Sequence, residues 1–138
     1  MSWNIQDYKD DKTNKFEISN FTNYLLKYTI VCLQETKGAI KLPDYMAYNS
    51  NRKSSRSGGV AILVQNCIRK GIRHIKTDES EDIVAVKLDK NYFKLKDDIF
   101  IINFYISPAA SSYMPKETPI IQKIFSKTWK LSHLGYPT

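Results

Sequence analysis

The sequence has few cysteines and no long apolar segment, and each absence argues against a class of protein. Cys32 and Cys67 are the only cysteines in the 138 residues. Both lie among apolar residues, so we expect buried thiols in a reducing compartment and no disulfide scaffold. No apolar run approaches the roughly 18 residues of a membrane span, and the residues after Met1 do not begin a signal peptide. We therefore expect an intracellular protein, in the cytoplasm or nucleus, with no membrane partner.

Positive charge and aromatic side chains are what the chain has in excess. With 21 Lys and Arg against 14 Asp and Glu, the formal net charge is +7, and the pI is near 9.3. This balance suits a polyanionic partner such as nucleic acid, although a basic protein without such a partner has the same composition. A hydrophobic content of 42% and an aromatic content of 12% are typical of a globular domain, and the length allows one domain at most.

The segment Thr29–Lys37 is the most informative stretch of the chain. Four consecutive apolar residues, Ile30 to Leu33, are followed at once by Gln34, Glu35 and Thr36. An unbroken apolar run of this length predicts a strand buried on both faces. Glu35 then lies where the strand reaches solvent, and one or two carboxylates are often the only protein ligands of Mg²⁺. Glu35 is therefore a candidate metal ligand, and the alternative is a surface glutamate at a strand exit.

The remaining pattern predicts alternating helices and strands. Apolar residues at helical spacing predict a helix over Asn14–Tyr28, and a second helix over 120–131. Strands are predicted at Ser2–Ile5, Tyr45–Tyr48, Val60–Gln65, Cys67–Lys76 (a polar edge strand), Ile83–Leu88 and Ile99–Ile106, with a charged turn at Asp89–Asp98.

Three further segments place a polar motif at the start or end of an apolar strand. They are Trp3-Asn4-Ile5, Gly58-Gly59-Val60-Ala61 and Asn103-Phe104-Tyr105-Ile106-Ser107-Pro108. With Gln34-Glu35-Thr36, and in this order, they resemble the endonuclease/exonuclease/phosphatase superfamily, most closely the endonuclease domain of non-LTR retrotransposons. The resemblance runs from Ser2 to about Ser112. It implies an α/β fold, the N-terminal half of a two-sheet, four-layer sandwich with helices outside.

The resemblance also implies an activity, Mg²⁺- or Mn²⁺-dependent hydrolysis of a phosphodiester, with DNA nicked before reverse transcription. Glu35 and Asn4 then match the positions at the metal, and Tyr105 matches a tyrosine whose hydroxyl points at the scissile phosphate. A phenol can donate a hydrogen bond to a phosphoryl oxygen without adding a competing charge. The alternatives are an ordinary strand-end asparagine and a core tyrosine. A reverse transcriptase domain is implied in the full-length parent.

Two motifs of the family, one GDFN-like and one SDH-like, have no counterpart in this sequence. Ser132-His133 lacks the intervening Asp, so His133 is a weak candidate. We divide the chain into a partial catalytic-type domain at 1–112 and a divergent tail at 113–138. Because the second catalytic half is missing, we expect the chain alone to be inactive. We also expect an open inner sheet face, exposing alternate residues of Val60–Val64 and Ile99–Ile106, and with it oligomers or aggregates.

Arg52, Lys53 and Arg56 lie among serines just before Gly58-Gly59. Cations and hydroxyls in a loop suit a phosphate backbone, so these three are candidate DNA-binding residues. The alternative is a solvated turn. Together with the basic segment 69–76, they predict weak, salt-sensitive DNA binding. Two other functions stay open: the same fold acting on lipid or RNA phosphates, and a non-enzymatic basic remnant that binds nucleic acid.

Overall fold

The computed structural model describes residues 1–5, 19–50, 58–77 and 82–106. Over these ranges the chain forms seven strands, two short α-helices and a 3-10 helix at Asn66–Gly71. The strands are β1 (Ser2–Asn4), β2 (Ile30–Gln34), β3 (Tyr45–Ser50), β4 (Val60–Gln65), β5 (Ile72–Ile75), β6 (Ile83–Leu88) and β7 (Ile99–Phe104), and the helices are α1 (Ser19–Leu25) and α2 (Lys90–Phe93).

The strands form two separate sheets. The first has the order β1-β2-β4-β3, and the second has the order β5-β6-β7. β1 pairs with β2 in parallel, whereas β2, β3 and β4 pair antiparallel. Every pair in the second sheet is antiparallel. The predicted α/β fold is confirmed, and this chain contributes strands to both sheets.

The first sheet is the central layer of the molecule, because both of its faces are covered. Along β4, Ala61 and Leu63 contribute to a core that also contains Leu25 of α1. Val60, Ile62 and Val64 alternate to the opposite face, where they pack with Val84 and Val86 of β6. All five β4 residues from Val60 to Val64 have no exposed surface. An apolar run without polar interruption is what burial on both faces requires.

The expectation of an open inner sheet face is wrong. The residues that were to be exposed on Val60–Val64 are fully buried, because the second sheet comes from residues 72–104 of this same chain and packs on them. On β7, Ile101 packs into this inter-sheet core as well, and Asn103 is buried. The exposed large apolar side chains of this region, Ile99, Phe104 and Ile106, lie at or beyond the ends of β7. The inner face of the first sheet therefore gives no reason to expect oligomers.

The segment between the sheets differs from the predicted edge strand over Cys67–Lys76. Its first part is the 3-10 helix, and only β5 is extended. Gly71 ends the 3-10 helix, and a Cβ there would lie 2.2 Å from the Tyr92 ring and 2.7 Å from that of Phe93. The glycine lets these rings pack on the turn that leads into the second sheet. β5 does lie at the edge of its sheet, as predicted.

Three other sequence predictions need local correction. The Asp89–Asp98 turn contains α2, because the Asp89 side chain accepts hydrogen bonds from the backbone N–H groups of Asn91 and Tyr92, as a helix N-cap does. The first predicted helix ends at Leu25 rather than Tyr28. Cys67 is exposed rather than buried, while Cys32 is partly buried, and burial raises the pKa of the Cys32 thiol. The predicted helix at 120–131 and the 112/113 boundary lie outside the described residues.

Candidate active site

Asn4 and Glu35 meet at one end of the first sheet. β1 and β2 run parallel, with Asn4 opposite Gln34, so the carboxyl ends of both strands reach the same edge of the sheet. The Asn4 amide Nδ2 donates a hydrogen bond to Glu35 Oε1 at 3.1 Å. Asn4 is exposed and Glu35 is half-buried. The two residues that the resemblance assigns to one metal therefore lie side by side, in direct contact rather than separated by the span of a hydrated cation.

The backbone at Glu35 has the left-handed conformation, with φ of 52°. Before this residue, Gln34 lies opposite Val60. After it, the Thr36 and Lys37 N–H groups donate to the carbonyls of Gly59 and Gly58 at 3.2 and 2.9 Å. The pairing is therefore offset by one residue, as in a β-bulge, and Glu35 is the extra residue. Bulges of this kind re-aim a side chain and are common beside active sites.

The two glycines opposite this bulge explain the motif at 58–59. Both have positive φ, 81° at Gly58 and 85° at Gly59, which glycine adopts without a steric penalty. Thr36, next to Glu35, is fully buried, and its hydroxyl has no hydrogen-bond partner among the described residues. This region therefore has two features that cost folding free energy: the left-handed backbone of Glu35 and the buried hydroxyl of Thr36 without a hydrogen bond.

Asn103 is the residue at this end that sequence reasoning missed. It is 3% exposed, and its Nδ2 donates to the carbonyls of Leu33 and Ala61, both at 2.9 Å. Its Oδ1 accepts from Gln34 Nε2 at 2.5 Å, and Gln34 Nε2 also lies 2.9 Å from Ser2 Oγ. The available signal was a lone polar residue in an apolar strand. The Asn103 side chain therefore links β7 to the first sheet by hydrogen bonds at the residues just before Glu35.

Tyr105 follows β7 at the same end of the sandwich. Its N–H donates to the carbonyl of Asp82 at 3.0 Å, and the Asp82 carboxylate accepts from Gly59 N–H at 3.3 Å. The ring of Tyr105 packs against the inter-sheet core. Tyr105 is therefore held two residues beyond Asn103, at the strand end that faces the end of β2. Its part in the chemistry stays a prediction.

The side chains at this end fit a hard cation in part. One carboxylate and one amide oxygen, from Glu35 and Asn4, are oxygen ligands of the type Mg²⁺ prefers, and Mg²⁺ keeps several water ligands in such sites. Within residues 1–5, 19–50, 58–77 and 82–106, no group of three or more His, Cys, Asp and Glu side chains is placed to hold a metal. The pair suits a loosely held, mostly hydrated ion.

The other predicted site residues are not brought to this pair by the described structure. Arg52, Lys53 and Arg56 lie outside the described residues, and so does His133. Of the described residues on either side, Ser50 and Val60 are paired at the Glu35 end of the sheet. Within the part of the chain described, no helix has the length and apolar character needed to cross a membrane.

Comparison with known proteins gives a structural match alone. No protein-family model matches the sequence, and no curated protein matches it. Among solved structures, the catalytic domain of Xenopus laevis APE2 is similar, with a TM-score of 0.55 and 20% sequence identity. The chain shares that fold. The match covers 78% of this chain and 45% of the APE2 domain, so the chain spans less than half the length of that domain.

The shared fold is of the endonuclease/exonuclease/phosphatase type. This confirms the coarser part of the sequence reading, a partial α/β sandwich of that type. At 20% identity the likeness shows the fold alone.

Proposed function

We propose that this chain carries part of a divalent-metal phosphodiesterase site that acts on DNA. The observation that supports this most is the Asn4–Glu35 contact, 3.1 Å between Nδ2 and Oε1, at the carboxyl ends of two parallel strands. The strained backbone at Glu35 is the second support. A left-handed glutamate costs stability, and such outliers persist where a site needs the side chain in one direction.

Each residue has a distinct role in this proposal. Glu35 and Asn4 would hold Mg²⁺ or Mn²⁺, which, when bound, supplies positive charge to polarise a phosphoryl oxygen and stabilise a leaving alkoxide. Tyr105 donates its phenolic hydrogen to the phosphate and adds no charge of its own. Asn103 and Gln34 act through these residues by fixing the end of β7 against the end of β2.

The retrotransposon assignment belongs to this proposal as well. It is supported by the order of the four motifs and by the net charge of +7, which favours DNA over a lipid headgroup. A reverse transcriptase domain in the parent protein follows from the same assignment. No observation on the described residues favours an RNA or lipid substrate.

The chain by itself is proposed to be inactive. The described residues offer one carboxylate at the site, and the sequence has no second motif from which an Asp or His would activate water. General acid–base groups each contribute on the order of 10²–10⁴-fold, so the loss of two brings hydrolysis close to the uncatalysed rate. Under this proposal the chain keeps metal binding and loses turnover.

The test separates metal binding from turnover. Mn²⁺ binding to the purified chain, measured by electron paramagnetic resonance, is expected for the natural sequence and strongly weakened in Glu35→Ala. Supercoiled plasmid with Mg²⁺ should stay intact with both proteins. Equal Mn²⁺ binding by the two proteins would refute the metal site. Robust nicking that disappears in Glu35→Ala would instead confirm the site and refute the inactivity.

A non-enzymatic nucleic-acid-binding protein is the second candidate. The excess of cations favours it, and so does the single carboxylate at the described site. It predicts DNA binding that Mg²⁺ does not strengthen and that Glu35→Ala does not weaken. DNA affinity measured with and without Mg²⁺ distinguishes it from the first proposal, in which the metal bridges protein and phosphate.

A further inference from the structure

Four exposed cations follow one another along the chain on the side of the molecule away from β1 and β7, and we call this set the row. Arg69 and Lys70 lie on the 3-10 helix, Arg73 on β5, and Lys76 just beyond it, and all four are exposed. β5 is the edge of the second sheet, and β3 is the edge of the first. The Tyr48 and His74 rings lie 5.3 Å apart, centroid to centroid, so these two edges lie side by side.

Among the described residues, none of these four cations forms an ion pair. The sequence from Asn66 to Thr77 contains no Asp or Glu. The ion pair described in the second sheet joins Lys87 to Asp98 at 3.8 Å and involves none of the four. Like charges that are kept together on a surface without counter-charges create a positive potential, which attracts a polyanion.

The row leads toward the candidate site. Ile72 lies opposite Leu88 and Ile75 opposite Ala85, so β5 runs toward the start of β6. That end of β6 carries Asp82, which contacts Gly59 and Tyr105. Arg69 and Lys70 are therefore at the far end of the sandwich, and Lys76 is near the Glu35 end. In sequence, acidic residues begin two positions beyond Lys76, where the row stops.

The extended part of the row, which carries Arg73 and Lys76, is long enough to pass several phosphates of a nucleic-acid strand. From residue 72 to residue 76, extended chain covers about 14 Å at roughly 3.4 Å per residue. One strand of B-DNA presents a phosphate about every 3.4 Å along the helix axis, so about four phosphates pass over this distance. Ile72 and Ile75 between these cations are half-buried, so they offer no fully exposed aliphatic side chain for insertion into a lipid surface.

We propose that Arg69, Lys70, Arg73 and Lys76 form a backbone-tracking surface for DNA, which guides the strand along the β3–β5 side toward the Glu35 end. The proposal rests on the nucleic-acid substrate of the proposed function, and it is independent of metal binding and turnover. The competing explanation is that the same charges protect an edge strand from pairing with another chain.

The test is DNA binding at several salt concentrations. Affinity of the full chain for a fluorescein-labelled DNA duplex is measured by anisotropy for the natural sequence and for Arg73→Gln/Lys76→Gln. Losing two phosphate contacts should flatten the slope of log K against log salt by about 2 and weaken binding on the order of 10-fold or more at 0.1 M salt. Arg69→Gln/Lys70→Gln, which leaves the strand edge unchanged, should show the same effect.

The matched control is Lys94→Gln/Lys96→Gln, which removes the same charge from two exposed residues outside the row. It should leave the slope nearly unchanged. Equal weakening by control and row variants would overturn the proposal, since only net charge would then matter. Unchanged affinity with new aggregation on a sizing column would also overturn it, in favour of edge protection, and so would binding to anionic vesicles without binding to DNA. The row variants should bind Mn²⁺ as the natural sequence does, so failure of the metal site and failure of the row are separately visible.

Discussion

Two polar pairs lie at the same end of this sandwich and have opposite physical character. Gln34 and Asn103 form a buried pair, in which the three described hydrogen bonds of the Asn103 amide join β7 to β2 and β4. Asn4 and Glu35 form a pair at the surface, with Glu35 in a left-handed conformation. Neighbouring residues 34 and 35 therefore belong to different pairs, one satisfied and one strained.

The difference shows which pair holds the fold and which is available for chemistry. A buried amide with its hydrogen bonds made stabilises a unique arrangement, and it is costly to disturb because its partners would be left without bonds. A half-exposed carboxylate contributes little to stability and can exchange its amide partner for a cation. Three predictions test this division, and a fourth concerns a residue outside both pairs.

The largest effect is expected for Asn103→Ala. The substitution removes the described hydrogen bonds of the side chain and leaves the Leu33 and Ala61 carbonyls without this donor in a dry interior. At about 1–3 kcal/mol for each unsatisfied buried group, we expect the free energy of unfolding to fall by about 3 kcal/mol, measured by urea denaturation. The exposed Asn91→Ala on α2 is the control. A loss below about 1 kcal/mol would contradict the structural role of Asn103.

Glu35→Gly should separate stability from function. Glycine relieves the left-handed conformation, worth about 1–2 kcal/mol, but it also gains entropy in the unfolded chain, worth about 0.4–1 kcal/mol. We expect a net stabilisation of about 0.5–1 kcal/mol, with Mn²⁺ binding lost. Lys94→Gly, at another left-handed residue with φ of 54°, should be similarly stable and should bind Mn²⁺ normally. A destabilised Glu35→Gly protein would mean that the glutamate serves the fold.

Asn4→Asp should increase the affinity for Mn²⁺ and lower the stability of the metal-free protein. Two carboxylates would replace the present contact, at an Nδ2–Oε1 distance of 3.1 Å. Two like charges in contact repel each other, so without metal the variant should be less stable than the natural sequence at neutral pH. A second carboxylate should tighten Mn²⁺ binding several-fold. Calorimetric titration and thermal unfolding with and without Mn²⁺ test both parts. Unchanged affinity would place the metal elsewhere.

The smallest expected effect is a pH dependence of stability, and it comes from His74, which belongs to neither pair. The pKa of His74 is lowered mainly because the ring is partly buried, and secondarily by the positive charge of Lys76. On acidification the unfolded chain therefore takes up this proton first, so His74 contributes a loss of stability as pH falls through about 6.5. Because the ring is largely exposed, the loss should stay below about 1 kcal/mol. His74→Gln should flatten the stability profile between pH 7 and 5, and an unchanged profile would assign it to other groups.

The strands that carry the site were predictable from sequence because their pattern is local. The unbroken apolar runs of β2 and β4 specify burial on both faces wherever these strands pack. The polar residues at the ends of β1 and β2 must emerge at the sheet edge, which places Asn4 and Glu35 near solvent. That both residues belong at one metal was implied by the motif resemblance.

Tertiary structure decided the features that depend on residues far apart in the chain. The bulge at Glu35 arises from pairing with Gly58 and Gly59, and the role of Asn103 depends on carbonyls about 40 and 70 residues away. The coverage of Val60–Val64 comes from a second sheet that begins with residue 72, which the half-sandwich expectation omitted. Local periodicity reports which face of a strand is apolar. It carries no information on which distant segment covers that face, because that choice is made by packing and hydrogen bonding between segments.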